Sequence, residues 1–297
     1  MSKHIFWIAS YPKSGNTLLR AILSSLFFSK DGTFSFELIK AIQGLENKWR
    51  LNFIKKVNPK DFLVLDKNEV LSKYWLDLQS KTNMQLEQDF TFLKTHHALV
   101  TYRNYPFSNE NNCRGYFYLI RDPRDVAVSW AYHSNLSINK SIDFLINELS
   151  GTEWNHSKKS LLSKNIVPQT ILSSWEKNII SWTRNNWTCP RMIIRYEDLV
   201  YNKKNIILSI SKFFDKNFKI KLIDLDKKIQ KILESTEFEK LKKEEEKKGF
   251  KEATNGPFFR IGKKNQWKKI LNKDQIMKIE SKFSKTMLAF GYELSKD

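Results

Sequence analysis

Three short clusters in this 297-residue chain combine the residue types that bind anions or move protons. The first is Tyr11-Pro12-Lys13-Ser14-Gly15-Asn16-Thr17, which holds a cation, hydroxyls and a glycine. It follows an apolar β-favouring run, Ile5 to Ala9, and precedes Leu18, Leu19, Ile22, Leu23 and Leu26 at helical spacing. A loop opening a helix presents unpaired backbone N–H groups and the positive end of the helix dipole, and a glycine lets that backbone come close to a ligand. The cluster therefore suits a phosphate or sulfate. It is not the common triphosphate loop GxxxxGK[ST], because Lys13 precedes Gly15 and no glycine stands at the front. The second cluster, Lys94-Thr95-His96-His97, follows the run Phe90-Thr91-Phe92-Leu93 and supplies an imidazole for proton transfer. The third runs from Arg121 to Ser129 behind Gly115 to Ile120; a guanidinium fork and a hydroxyl suit a phosphate dianion.

Each cluster needs a strand that delivers it and a helix that carries the chain away. Asp122-Pro123 is a helix-start signal, an N-cap followed by proline at the first helical position, and Ser129 then lies about two turns inside. A fourth apolar run, Met192 to Tyr196, leads into Glu197-Asp198-Leu199. Four strands alternating with helical patterns predict an α/β fold with a central parallel sheet flanked by helices. In such a sheet ligands bind beyond the carboxyl ends of the strands, so Lys13, His96 and Arg121 are expected on one rim.

Elsewhere the pattern predicts packing. Phe62 to Leu65 reads as a minor strand, Leu71, Trp75 and Leu78 as one helical face, and Ile171, Trp175, Ile179 and Trp182 as a buried stripe. Lys242 to Lys248 reads as a solvated helix end and Arg124 as surface charge. His133 and His156 read as structural or solvated, with no metal spacing. Ile276, Ile279, Phe283, Met287, Leu288 and Phe290 describe a terminal amphipathic helix.

Composition bounds the partners. With 51 Lys and Arg against 32 Asp and Glu, the net charge of +19 attracts anions of any kind, nucleotide, nucleic acid or membrane surface, without choosing among them. An apolar share of 41% is ample for a core. The two cysteines, Cys113 and Cys189, read as ordinary buried or half-buried thiols in a reducing compartment, with neither metal spacing nor a disulfide framework. No apolar run reaches the roughly 18 residues a membrane span needs, and the N-terminus lacks a signal-peptide core. A soluble, cytoplasmic protein is expected.

The order Tyr-Pro-Lys-Ser-Gly-x-Thr resembles the phosphosulfate loop of the sulfotransferases that use 3′-phosphoadenosine 5′-phosphosulfate (PAPS), and further matches follow in family order along nearly the whole chain. The resemblance implies one domain over residues 1–297, related in layout to P-loop nucleotide kinases. It implies PAPS as donor, adenosine 3′,5′-bisphosphate (PAP) as product, no metal, and an acceptor hydroxyl or amine. His96 of Lys-Thr-His corresponds to the catalytic base, with Lys13 and Lys94 meeting charge on the leaving phosphate. Lys13, Ser14, Gly15, Asn16 and Thr17 correspond to the phosphosulfate loop, and Arg121 and Ser129 of Arg-x-x-x-Asp-Val-Ala-Val-Ser to the holders of the 3′-phosphate. Tyr196, Thr236 and Phe238 correspond to residues near the adenine. Arg260, Gly262 and Lys263 correspond to a clamp read Arg-Lys-Gly, in which Ile261 departs from the pattern. Asn16 stands for the usual Thr, and Leu18 for an aromatic. The family's C-terminal dimer signature is not visible after Trp267, which leaves the oligomeric state open.

Two other functions fit parts of the chain. A P-loop-type small-molecule kinase would share the layout but normally carries GK[ST] and a carboxylate for Mg²⁺. A nucleic-acid-binding protein would account for the charge, yet not for Lys13, His96 and Arg121 each following a strand, so no nucleic-acid partner is expected.

Overall fold

The computed structural model describes residues 3–45, 48–64, 68–149, 151–152, 170–253 and 255–295, so His156 lies outside the described residues. The elements that matter to function are, in chain order, β1 (Ile5–Ser10), α1 (Asn16–Phe28), β2 (Gln43–Gly44), β3 (Thr91–Thr95), β4 (Cys113–Ile120), α2 (Pro123–Ser134), α3 (Trp175–Thr183), β5 (Arg191–Arg195), α4 (Tyr196–Tyr201), α5 (Lys203–Phe218), α6 (Leu225–Ser235), α7 (Phe238–Lys248) and α8 (Lys273–Ala289). All six residues of β1 are buried, as is nearly all of β4. Neither strand alternates between apolar and polar, the mark of strands covered on both faces. The five strands form one sheet in the order β2-β3-β1-β4-β5. β1 pairs parallel with β3, Ile5 opposite Thr91 through Ala9 opposite Thr95, and β3 pairs parallel with β2.

The chain folds into two compact units. The first comprises Met1–Tyr11, Ile42–Tyr118 and Asn147–Ile193 and contains most of the sheet. Its core is aromatic: Trp7 lies 5.5 Å from Phe107 and 6.4 Å from Trp182 between ring centroids. The Tyr118 hydroxyl donates to Asn178 and that of Tyr116 to the Trp182 carbonyl, so β4 is tied to α3 by polar bonds inside the apolar core. Leu71, Trp75, Leu78, Trp175, Ile179 and Trp182 are all buried. The minor strand expected at Phe62 is instead the end of a helical turn, Pro59–Phe62, whose N-cap Asn58 accepts from the Asp61 N–H. Asn-Pro there starts a helix rather than ending one.

The second unit comprises Pro12–Ala41, Leu119–Ile146 and Ile194–Asp297. Arg124, expected at the surface, is buried: it donates to both Asp122 oxygens and to Glu280, and its guanidinium lies 3.8 Å from the Trp267 ring centroid. Planar bidentate pairing and stacking satisfy the charge away from water. Glu245, inside the run expected to be solvated, is also buried and accepts from the Phe258 and Phe259 N–H groups at 2.6 and 2.9 Å. In α8 the buried residues Ile279, Phe283 and Met287 recur every four residues, while Leu288 is exposed.

Candidate active site

The anion loop belongs to the second unit from Pro12 onward. It turns through Lys13 at φ +64° and Gly15 at φ +97°, and Gly15, which has no side chain to offer a cap, is the N-cap of α1. A Cβ on Gly15 would meet the Tyr196 ring at 2.7 Å, so glycine is required for close packing as well as for conformation. The other face of this arrangement is Arg121, whose guanidinium lies 4.1 Å from the Tyr196 ring centroid and whose Nη1 donates to the Lys13 carbonyl at 2.9 Å. Gly15, Tyr196 and Arg121 thus brace the loop from α4 and from the end of β4.

Charge in this cradle is unbalanced. Burial pushes the Lys13 ammonium down to about 8, with the Arg121 charge acting in the same direction and Glu252 and Glu245 opposing. Its Nζ lies 4.2 Å from the Phe258 ring centroid. His133 on α2 is held down to about 4, by burial and then by Lys13. The Ser14 hydroxyl is buried with no hydrogen-bond partner among the described residues. Buried hydroxyls are almost always bonded, so a missing partner beside crowded cations fits an anionic ligand. The Thr17 hydroxyl donates to Glu252 Oε2 at 2.8 Å, and Glu252 Oε1 is paired with Arg20 at 2.6 Å.

The other expected binding residues lie on α2, at the end of α6 and in the segment from α7 onward. Gly262 turns at φ +66° with its Cα against Phe238, whose ring a Cβ would strike at 2.3 Å. Arg260 stacks 3.9 Å from the Tyr132 ring centroid and donates to Gln266 at 2.7 Å. Burial first, and Arg121 among its neighbours, lower its pKa. Ser129 is half-buried and shares a face of α2 with Tyr132, three residues on. Thr236 is buried, donates to the Ile232 carbonyl and accepts from the Lys203 ammonium at 3.1 Å. Lys263 is exposed; its carbonyl accepts from Gln266.

Lys94 and His96 belong to the first unit. Lys94 is half-buried in β3, opposite Ile8 on one side and Gly44 on the other. His96 is half-buried just beyond β3, and its Nδ1 lies 2.9 Å from the Ser10 carbonyl and 3.2 Å from the Ser10 hydroxyl. A carbonyl only accepts, so Nδ1 carries a proton, and in the neutral ring the lone pair falls on Nε2. His97 is arranged oppositely. Its Nδ1 accepts from the Ile171 N–H, its ring stacks on Phe107 at 4.3 Å, and its carbonyl accepts from the Trp182 indole. His97 is a packed structural histidine. Among the described residues no cluster of His, Cys, Asp or Glu is arranged to hold a metal ion.

The sulfotransferase domain model matches residues 3–291. The chain belongs to the sulfotransferase family. It is 26% identical over 237 residues to Sulfotransferase 1B1 of Canis lupus familiaris, covering 79% of this chain and 65% of that protein's length. It is 22% identical to Amine sulfotransferase of Oryctolagus cuniculus over 96% of this chain and 81% of that one. Among solved structures, mouse sulfotransferase SULT7A1 complexed with PAP superposes with a TM-score of 0.58 at 16% identity, covering 97% of this chain and 84% of that one. Retinol dehydratase in complex with retinol and PAP gives 0.58 at 18% identity, covering 100% and 84%. The fold is therefore the P-loop-kinase-like α/β fold of the sulfotransferases.

Sequence reasoning missed three residues of this candidate site. Asp125 is buried and accepts from the Asn265 and Trp267 N–H groups at 2.7 and 3.0 Å, which holds the segment after Gly262 to α2. Arg20 and Glu252 form the ion pair that occupies Thr17. Asp125 could have been found as the acidic member of the Arg-x-x-x-Asp motif; nothing local marks the other two, which meet across 232 residues.

Proposed function

We propose that this chain transfers the sulfuryl group of PAPS to a hydroxyl or amine of an acceptor, as one sulfotransferase domain over residues 1–297 working in the cytoplasm. The observation that carries the reading is the cradle: Lys13 and Arg121 crowded together, a Ser14 hydroxyl with no partner among the described residues, and a glycine loop braced on Tyr196. These residues fit a bound phosphosulfate. The family match across both units supports the single-domain reading.

When bound, the donor supplies an activated sulfuryl group and the bisphosphate that leaves. Lys13, the Ser14 hydroxyl, and the N–H groups at the start of α1 would hold the 5′-phosphosulfate and offset charge on the leaving oxygen. Arg121, Ser129 and Arg260 would hold the 3′-phosphate, with Gly262 and Lys263 in the same clamp. Tyr196, Thr236 and Phe238 would sit by the base, and Asn16 and Thr17 by the phosphosulfate. His96 would accept the acceptor's proton on Nε2, since Nδ1–H is committed to the Ser10 carbonyl, and Lys94 would add positive charge. Segments 31–80 and 100–112 would contribute the acceptor pocket.

The test is thermal stabilisation. PAP at one hundred times its dissociation constant should stabilise the protein by about 2.7 kcal/mol, and adenosine 5′-phosphate at the same concentration by much less. Equal shifts would remove the basis for this donor. An acceptor screen with labelled PAPS then identifies the second substrate.

A further inference from the structure

Both cysteines lie in the first unit, and neither takes part in the reading above. Cys113 opens β4 and Cys189 stands two residues before β5; their sulfurs are 3.3 Å apart. Two hydrogen bonds hold them there: the Tyr116 N–H donates to the Pro190 carbonyl at 3.1 Å, and the Thr188 N–H to the Glu110 carboxylate at 2.9 Å. The two thiols are 76 residues apart in sequence, so this approach is a product of the sheet order and not of a local turn. We propose that Cys113 and Cys189 form a redox-active dithiol that closes to an intramolecular disulfide when a hydroperoxide reaches it.

The geometry asks little movement. A disulfide bond is close to 2.05 Å, so the sulfurs must approach by about 1.3 Å, within reach of side-chain rotation and a small backbone adjustment. The roles of the two sulfurs differ. Cys113 is completely buried, and burial raises its thiol pKa; Cys189 is 5% exposed and its pKa is lowered, chiefly by the hydrogen bond from Cys113 and also by the Lys3 and Arg191 charges, against burial and Glu110. Cys189, the more exposed of the two and the more readily ionised, is therefore the sulfur that attacks first, as its thiolate. Its sulfur takes the terminal oxygen of the hydroperoxide, breaking the O–O bond, releasing an alcohol or water and leaving a sulfenic acid. The Cys113 sulfur then attacks the Cys189 sulfur, loses its proton, and displaces the hydroxyl as water. Two electrons leave the sulfur pair and reduce one peroxide.

With only two cysteines in the chain, thiol counting is unambiguous. The folded protein is treated with a small excess of hydrogen peroxide, denatured in a thiol alkylating reagent, and digested without reduction. Both thiols should disappear together. A peptide pair joining Cys113 to Cys189 should appear, lighter by two hydrogens than its parts, and dithiothreitol should restore both thiols. In Cys113→Ser, Cys189 should instead be trapped as sulfenic acid by dimedone. Two freely alkylated thiols, a sulfinic acid at one cysteine without the linked pair, or linkage only between chains would each overturn the proposal. Should the serine variant fail to fold, the wild-type peptide map decides.

Discussion

Lys13 offers a prediction whose size follows from its surroundings. A lysine in water titrates near 10.5 and this one at about 8, with burial the main cause and Arg121 the next. Holding the ammonium charged in the ligand-free fold therefore costs on the order of 3 kcal/mol. The sign is that of a depressed cation. The cost is full below pH 8, fades as the proton leaves between 8 and 10.5, and so makes this group's contribution to ligand-free stability rise with pH across that window. A bound polyanion reverses the shift by favouring the charged form. PAP should therefore bind with full affinity below pH 8 and lose roughly tenfold, about 1.4 kcal/mol, by pH 9, where about one molecule in ten keeps the proton. Titration calorimetry at pH 7, 8 and 9, in two buffers of different ionisation enthalpy, should show proton uptake of about one half per PAP at pH 8. Lys13→Arg, permanently charged, should flatten the dependence. A dissociation constant that stays level from pH 7 to 9 in the wild type, or an unchanged slope in Lys13→Arg, would refute the placement of Lys13 against the donor.

Three further outcomes are expected. His96→Ala should cut turnover by roughly 10²-fold or more with PAP affinity nearly unchanged, whereas His97→Ala should chiefly lower the melting temperature by leaving a gap beside Phe107 and Trp75; paired binding and rate measurements separate the two, and full turnover in both variants would send the proton elsewhere. Gly262→Ala must place a Cβ on the Phe238 ring at φ +66°, and calorimetry should show PAP losing its advantage over adenosine 5′-phosphate; an unchanged preference would free this turn from the 3′-phosphate. Glu252→Gln removes a carboxylate that holds Thr17 and Arg20 and faces Lys13. It should tighten PAP binding several-fold at pH 7, and equal or weaker binding would make Glu252 a tether for its loop and nothing more.

The parts of this protein that are local in the chain were legible without coordinates. A loop with Lys13 and Gly15 between a β run and a helical run must turn at that place, Asp122-Pro123 must start a helix, and β4 ends where apolar residues give way to charge, whereas β3 runs on through Lys94 to Thr95 because both residues still pair with β1. Backbone preference and side-chain periodicity act over a few residues, and those few residues carried the family resemblance too. What escaped depends on partners far away in sequence. Arg124 reads as surface charge until Glu280, 156 positions on, and Trp267 close over it. Glu245 lies in a lysine-rich helix end, yet it is buried because two N–H groups of the following loop need an acceptor. Adjacent histidines of the same type take opposite tautomers, His96 donating to Ser10 and His97 accepting from Ile171, and the two cysteines meet across the sheet. A polar side chain's burial, protonation and reactivity are set by whatever surrounds it when water leaves, and in this chain those surroundings come from segments that only the tertiary fold brings together.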